Sequence, residues 1–259
     1  MLENLLGFIK YFPEFNSSLV AGLLIISRYF GFILVAPVLS RKDIPALFKT
    51  AFAFLMTVIF VGILHPDPPP ADMVLLVSIV LNFFFGLLIG YVTALIFAAI
   101  TAAGDMMNMQ MGLSSAVMFD PGNKEQTTAI GNFFSFIGTI IFINIGGLYW
   151  MISAFQRSFN VFDIYGVGFP LDKVINMNYL VLLTGNVLFI GLQMAAPVLI
   201  ATLAMDVILG IISKTAPQVN VFQLSFLFKP IVGITILYVL LPLLVNIVSD
   251  YFISFAKIY

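Results

Sequence analysis

The sequence predicts an all-α membrane protein with about six long apolar helices. Of its 259 residues, 61% are hydrophobic and only 9% are charged, whereas an average soluble domain is about 25% charged. The mean hydropathy of the chain is +1.12. A soluble domain of this size cannot bury that much apolar surface, so we expect the helices to face lipid or other apolar protein.

Six runs of residues are apolar and long enough to form helices that cross a membrane. A span needs about 20 mostly apolar residues, and a helix satisfies every backbone polar group within one segment in lipid. The runs do not alternate between polar and apolar residues, which argues against the strands of a membrane β-barrel. The six runs are residues 19–39, 47–64, 73–104, 126–156, 174–205 and 230–249.

Polar and proline-containing breaks separate these runs. Residues 65–72 (HPDPPPAD) are rich in proline, and Pro217 is expected to end a helix just before it, because proline cannot continue a helix and restricts the preceding residue. The first run contains Arg28 and follows acidic residues, so we expect it to be retained rather than removed as a signal peptide. If the N-terminus lies outside the membrane, six basic residues fall in the inside loops and four in the outside segments. This difference indicates the orientation only weakly.

The composition excludes several classes of function. The chain has no cysteine and one histidine, His65, so thiol chemistry, disulfides and multi-histidine metal sites are excluded. Its net charge is −1 and no basic block is present, which argues against nucleic-acid binding. His65 lies in the proline-rich break rather than in a span, so an intramembrane serine protease is not expected. We therefore predict no enzyme activity, no cofactor and no metal.

Two charged residues, Arg28 and Asp206, lie within or at the end of apolar runs and are candidates for charge pairing inside the membrane. A charge at that depth costs free energy unless it is paired or hydrated. Each residue could contact a partner or line a water-filled path, or it could be a structurally paired or snorkelling side chain. The sequence leaves both alternatives open and does not pair the two residues with each other.

Glycines at helical spacing and a group of methionines also stand out. The spacing of Gly86 and Gly90 is most simply explained by close helix packing. Residues 104–122 (GDMMNMQMGLSSAVMFDPG) hold five of the 12 methionines. Methionine is flexible and usually fills cores, so composition favours a core helix that ends in a loop. The alternative is a deformable apolar loop that seals a pore and lets varied cargo pass.

Three stretches together resemble one family, the FliR/SctT family of the type III secretion export apparatus, and its flagellar branch in particular. They are residues 28–49 (RYFGFILVAPVLSRKDIPALFK), residues 86–122, with Ala-Gly-Asp, Gln-Met-Gly and Asp-Pro-Gly in order, and residues 195–233 (AAPVLIATLAMDVILGIISKTAPQVNVFQLSFLFKPIVG). Residues 180–259 are also similar to the smaller FliQ family. The resemblance implies a FliP-like part in residues 1–179 fused to a FliQ-like helical hairpin in residues 180–259.

The resemblance also implies a function and a set of partners. The chain would join FliP and FliQ in a pore of the bacterial inner membrane, within the flagellar basal body, with FlhB on the cytoplasmic side and unfolded flagellar proteins as cargo. The Met-rich loop, residues 104–122, would plug this pore through Met106, Met107, Met109, Met111, Gly112, Leu113, Ser114, Ser115, Val117, Met118 and Phe119. The hairpin would contact its cytoplasmic partner through Pro217, Gln218, Asn220, Gln223 and Lys229. The alternative for this polar turn is a solvated loop without a partner.

Two other classes of function remain as alternatives. A secondary transporter of a small solute would fit broken helices, Pro197 and the charges at Arg28 and Asp206. Such a transporter usually contains inverted internal repeats, and none is evident in the sequence. A purely structural scaffold differs from a gate only in whether it controls conductance.

Overall fold

The fold is that of a computed structural model, which describes residues 13–41, 43–70, 73–114, 128–166 and 177–256. The described part of the chain is built from helices, so the predicted all-α class is confirmed. Seven helices occupy these ranges: α1 Pro13–Val35, α2 Ala46–Leu64, α3 Leu75–Gln110, α4 Ala129–Asn144, α5 Gly147–Val161, α6 Met177–Thr215 and α7 Val221–Ala256.

Five of the described helices, α1, α2, α3, α6 and α7, are long and apolar enough to cross a membrane. The bent pair α4 and α5 counts as a sixth candidate if its two helices form one span. The predicted number of about six therefore agrees with the structure. Large apolar side chains on α2, α6 and α7 are exposed, including Leu47, Phe54, Phe189 and Tyr238. These surfaces are suited to lipid or to other apolar chains.

The fourth predicted run, residues 126–156, is not one straight helix. The chain bends by 72° between α4 and α5. The bend lies at Gly146, whose φ of +79° is a left-handed conformation that L side chains rarely adopt. The amide of Gly146 donates to the carbonyl of Ile143, which closes a tight turn at the end of α4. Gly146 therefore supplies a turn between α4 and α5.

The breaks predicted from proline agree with the structure. Helix α2 ends at Leu64, and His65 follows in a left-handed conformation with φ of +41°. Helix α6 ends at Thr215, two residues before Pro217. Pro197, Pro230 and Pro242 lie inside helices instead, which is tolerated in apolar helices when neighbouring groups compensate for the lost backbone hydrogen bond.

The chain divides into two compact units. Unit 1 comprises residues 1–94 and 149–176, and unit 2 comprises residues 95–148 and 177–259. The division falls within α3 and near the start of α5. This grouping reports compactness rather than family resemblance, so the predicted boundary between residues 179 and 180 stays a prediction.

Unit 1 has an aromatic core. The rings of Tyr29 on α1 and Phe155 on α5 stack with centroids 3.8 Å apart. Phe60 on α2 meets both rings edge to face, and Phe159 on α5 packs against Phe60 and Phe155. Each of these side chains is buried. Aromatic residues from three helices therefore fix the positions of α1, α2 and α5 relative to one another.

Glycines bring α1 and the first part of α3 into backbone contact. A Cβ on Gly86 would overlap the carbonyl oxygen of Arg28, and a Cβ on Gly31 would overlap the carbonyl oxygen of Phe83. A Cβ on Gly90 would lie 2.8 Å from the carbonyl oxygen of Phe32. The helix-packing interpretation of Gly86 and Gly90 is therefore confirmed.

Unit 2 is organised around the antiparallel hairpin of α6 and α7. The turn between these helices contains Pro217, and the amide of Val219 donates to the carbonyl of Ala216. Helix α4 contacts α7. Phe97, Phe142 and Phe252, from α3, α4 and α7, form a buried cluster with ring centroids 5.2 to 5.4 Å apart.

Candidate functional site

The Met-rich stretch starts as the end of a helix, which is the interpretation that its composition favours. Helix α3 continues to Gln110, so the first residues of the predicted loop 104–122 are its last two turns. Gly112, two residues beyond the end of α3, has a φ of +78°. The amide of Leu113 donates to the carbonyl of Asn108 at 3.2 Å, and the amide of Gly112 donates to the carbonyl of Met109 at 3.0 Å. This pair of hydrogen bonds is a Schellman cap, which favours glycine at the left-handed position.

The methionines of this helix end face different surroundings. Met107 and Met111 are completely buried, whereas the side chain of Met109 is 73% exposed. Met106 is partly exposed. Residues four apart share one face of a helix, so Met107 and Met111 point the same way and Met109 points away from them. Of the other residues proposed to plug the pore, Ser115, Val117, Met118 and Phe119 lie outside the described residues.

Asn108 links the helix end to the chain that follows. Its side chain is buried, and its Nδ2 donates to the hydroxyl of Ser114 at 3.0 Å. No donor among the described residues reaches its Oδ1. Asn108 therefore uses both its backbone carbonyl and its side chain to hold the first residues beyond α3.

The start of α4 lies against α3 next to the same segment. The hydroxyl of Thr128 donates to Asp105 Oδ1 at 2.6 Å and accepts from the amide of Gly131 at 3.0 Å. Thr128 is therefore the N-cap of α4, and the carboxylate of Asp105 lies at the positive end of that helix. A Cβ on Gly104 would lie 2.8 Å from Gly131 Cα, so the two backbones touch here.

Asp206 has a charged partner within the hairpin. Its Oδ1 lies 2.5 Å from the ammonium nitrogen of Lys229, and its Oδ2 is 3.4 Å from Gln110 Nε2. The Asp206 side chain is 42% exposed and that of Lys229 is 18% exposed. The sequence assigned Lys229 to the partner-contact group and did not join it to Asp206.

The tip of the hairpin is exposed and polar. The side chain of Asn220 accepts from the amide of Gln223 at 3.3 Å, which caps the start of α7. Pro217, Gln218, Asn220 and Gln223 are all exposed. An open cavity of about 550 Å³ lies here, lined by Asn220, Gln223 and apolar neighbours on and before the first turns of α7.

Arg28 in unit 1 is completely buried and donates hydrogen bonds to uncharged acceptors. Its Nε and Nη2 donate to Asn82 Oδ1 at 2.9 and 2.7 Å, and Nη1 donates to the hydroxyl of Ser158 at 3.0 Å. Nη2 also donates to the carbonyl of Phe162 at 2.9 Å. The ring of Phe159 lies 4.1 Å from the guanidinium carbon, where a cation–π contact is favourable. Arg28 therefore joins α1, α3 and α5.

Helix α3 holds the chain beyond α5 through two polar residues four positions apart. The hydroxyl of Ser78 donates to the carbonyl of Tyr165 at 2.6 Å, and Asn82 Nδ2 donates to the carbonyl of Ile164 at 2.8 Å. The hydroxyl of Tyr165 donates to the carbonyl of Asp67. Burial, and then the charges of Asp163 and Asp67, raise the pKa of Tyr165, so its hydroxyl keeps the proton that it donates.

The sequence identified Arg28 but missed its partners Asn82 and Ser158. A usable signal was present, because Ser78 and Asn82 are polar residues at helical spacing within an apolar run. Thr128 gave no comparable signal, since threonine is common in apolar helices and at their ends.

Comparison with known proteins places the chain among bacterial export proteins. Residues 19–255 match the model of the family described as "Bacterial export proteins, family 1". The chain is 28% identical over 221 residues to the flagellar biosynthetic protein FliR of Escherichia coli (strain K12), covering 84% of this chain and 82% of that protein. It is 27% identical over 248 residues to FliR of Bacillus subtilis (strain 168), covering 94% and 92%. The surface presentation of antigens protein SpaR of Shigella flexneri is 28% identical over 155 residues, covering 60% and 58%.

Proposed function

Because the chain belongs to the bacterial export proteins of family 1, we propose that it is a subunit of the flagellar type III protein export gate. The observation that carries this proposal is the match of the family model over residues 19–255. The flagellar relatives named above cover 84% and 94% of the chain, and SpaR covers 60%, which favours flagellar use over virulence use. Helices long enough to cross a membrane support a place in the bacterial inner membrane.

In this proposal the chain assembles with FliP and FliQ around a conduit for unfolded flagellar subunits. Residues 1–179 take a FliP-like place, and the hairpin of residues 180–259 takes a FliQ-like place. The exposed apolar side chains on α2, α6 and α7 provide surfaces for sister subunits as well as for lipid. The chain carries no catalytic role, and the energy for export comes from other components.

The assembly is tested by copurification. We expect the affinity-tagged chain to be recovered from membranes with FliP and FliQ, because its exposed apolar surfaces are suited to apolar partners. A photocrosslinker at Gln218 or Asn220 on the exposed hairpin tip should reach FlhB in the same preparation, and one at Phe54 on α2 serves as the control. A stable monomer in detergent that binds a small solute would support the alternative of a secondary transporter and contradict the proposal. Crosslinks that never reach FlhB would contradict the proposed contact alone.

The Met-rich segment is proposed to close the pore at rest. Methionine side chains are flexible and polarizable, so they exclude water and ions yet can repack around a passing chain. The exposed Met109 at the end of α3 is the described methionine best placed for this role, while Met107 and Met111 are buried within unit 2.

Deletion of residues 112–117 tests pore closure. We expect the assembled gate to leak ions, because the deletion removes the helix cap at Gly112 and shortens the segment beyond it. The measurement is the ion conductance of membranes that carry the complex with FliP and FliQ, at matched amounts of complex. The matched control is Gly210→Ala, at a position where an added Cβ meets no other atom within 4 Å. Unchanged conductance with intact export would rule out the closing role.

A further inference from the structure

We propose that the hairpin of α6 and α7 positions the end of the Met-rich helix, and that Gly233 is a positioning residue for it. The inference rests on the proposed function, because it says how the pore-closing segment is held. It concerns residues 107–112, the last described turn of α3 and its cap, and their contacts within unit 2.

The first contact is the packing of Met111 against α7 at Gly233. Met111 is completely buried, and a Cβ on Gly233 would lie 2.6 Å from Met111 Cγ and 2.9 Å from its sulfur atom. Any side chain at position 233 would therefore occupy the space of Met111. The absence of a side chain at Gly233 lets Met111 lie directly against the backbone of α7.

The second contact is polar and lies beside the first. Gln110, the neighbour of Met111, reaches Asp206 on α6, and Asp206 is paired with Lys229 on α7. Lys229 and Gly233 are four residues apart, so they share one face of α7. Thus α6 contacts Gln110, the last residue of α3, and α7 contacts Met111, the residue that follows it.

These contacts decide which methionine is presented outward. When Met111 packs against Gly233, Met107 faces the same buried side one turn earlier, and Met109 points away from the hairpin. A rotation or shift of the helix end would break the contact between Met111 and Gly233 and would change the exposure of Met109. The hairpin therefore sets the orientation of the segment that is proposed to close the pore.

A disulfide test measures the contact without relying on conductance. The chain contains no cysteine, so the double variant Met111→Cys/Gly233→Cys introduces the only pair. A cysteine sulfur occupies the γ position, and Met111 Cγ is 2.6 Å from the Cβ position of residue 233, which is close enough for a disulfide. We expect the bond to form on mild oxidation of membranes that contain the assembled chain. The matched pair Met109→Cys/Gly233→Cys should not form it, because Met109 points away; failure of the first pair, or equal yields, would overturn the inference.

A conductance test then measures the consequence. Gly233→Ala should raise ion leak several-fold at an unchanged yield of complex, because the added methyl group displaces Met111 while the helix remains intact. Gly210→Ala, in the other arm of the hairpin, adds the same methyl group where no other atom of this chain lies within 4 Å and should leave the leak at the wild-type level. A merely structural role for Gly233 would lower the yield of complex and would not raise the leak of what assembles.

The two proposals fail in different ways. If deletion of residues 112–117 leaks but Gly233→Ala behaves like Gly210→Ala, the positioning role is wrong and pore closure stands. If the deletion does not leak, pore closure is wrong, and the disulfide yields still decide whether Met111 is held on Gly233.

Discussion

Replacing Arg28 with lysine is expected to destabilise the protein nearly as much as replacing it with alanine. The guanidinium satisfies three acceptors in different directions: Asn82 Oδ1, the Ser158 hydroxyl and the Phe162 carbonyl. A lysine ammonium is a compact point charge that cannot reproduce the planar arrangement of the guanidinium N–H donors. In water it is also more strongly hydrated than a guanidinium, so its burial costs more. The substitution would thus leave buried acceptors unpaired while still burying a charge.

Replacing Arg28 lowers stability because it leaves its buried acceptors without a donor, and not only because it removes a charge. A buried polar group left without a partner costs about 1–3 kcal/mol. Part of the combined cost for the three acceptors is offset, because the variant no longer buries the charge of Arg28. We expect Arg28→Ala to lower the free energy of unfolding by about 2–4 kcal/mol. The measurement is the thermal unfolding midpoint of the detergent-purified protein.

The matched control is Arg41→Lys. Arg41 forms an ion pair with Asp43 at 3.1 Å, and the side chains of Arg41 and Asp43 are 26% and 77% exposed. A partly exposed pair of this kind contributes about 0–1 kcal/mol, and lysine can also form it. We therefore expect a much smaller loss of stability at this position than at Arg28. An Arg28→Lys protein as stable as the wild type would show that the geometry of the buried guanidinium does not matter.

Replacing Gly86 with alanine is expected to be the most damaging single methyl addition in unit 1. The new Cβ would overlap the carbonyl oxygen of Arg28, which is backbone and cannot rotate away. Helices α1 and α3 would have to separate, and such overpacking costs about 1–3 kcal/mol or more. The better helix propensity of alanine returns about 1 kcal/mol at most. The separation would also stretch the hydrogen bonds from Arg28 on α1 to Asn82 on α3.

Gly62→Ala on α2 measures the effect of helix propensity without the effect of overpacking. An added Cβ at Gly62 meets no other atom within 4 Å, so this variant should be neutral or slightly more stable. Thermal unfolding of both variants in the same detergent checks the difference. Because Gly86 contacts the Arg28 backbone, the effects of Gly86→Ala and Arg28→Ala should not add in the double variant. A Gly86→Ala protein no less stable than Gly62→Ala would mean that α1 and α3 are not in backbone contact.

The positions of helix ends could be predicted where local chemistry decides them. Pro217 ends α6 and the proline-rich break ends α2, because proline lacks the amide that the next turn needs. The bend at Gly146 could not be predicted in this way. A glycine within an apolar run is compatible with a continuous helix, and only the backbone conformation in the fold makes it a turn.

The same limit applies to the candidate site. The run of methionines, Arg28 and Asp206 could all be selected from the sequence, because methionine clusters and charges in apolar runs are uncommon. The partners of these residues could not be selected. Lys229 lies 23 residues beyond Asp206, and Asn82 lies 54 residues beyond Arg28, so each pair meets only when separate helices pack.

By itself the sequence determined that this protein is a set of apolar helices, where most of those helices end, and the family to which they are similar. These properties depend on composition and on neighbouring residues, which the chain specifies locally. The tertiary structure alone decided that Met111 and Met107 are buried while Met109 is exposed, and that the hydrogen bonds of Arg28 go to neutral groups. The physical reason is that burial and pairing are set by which helix faces meet, and an apolar helix with little difference between its faces does not specify its neighbour.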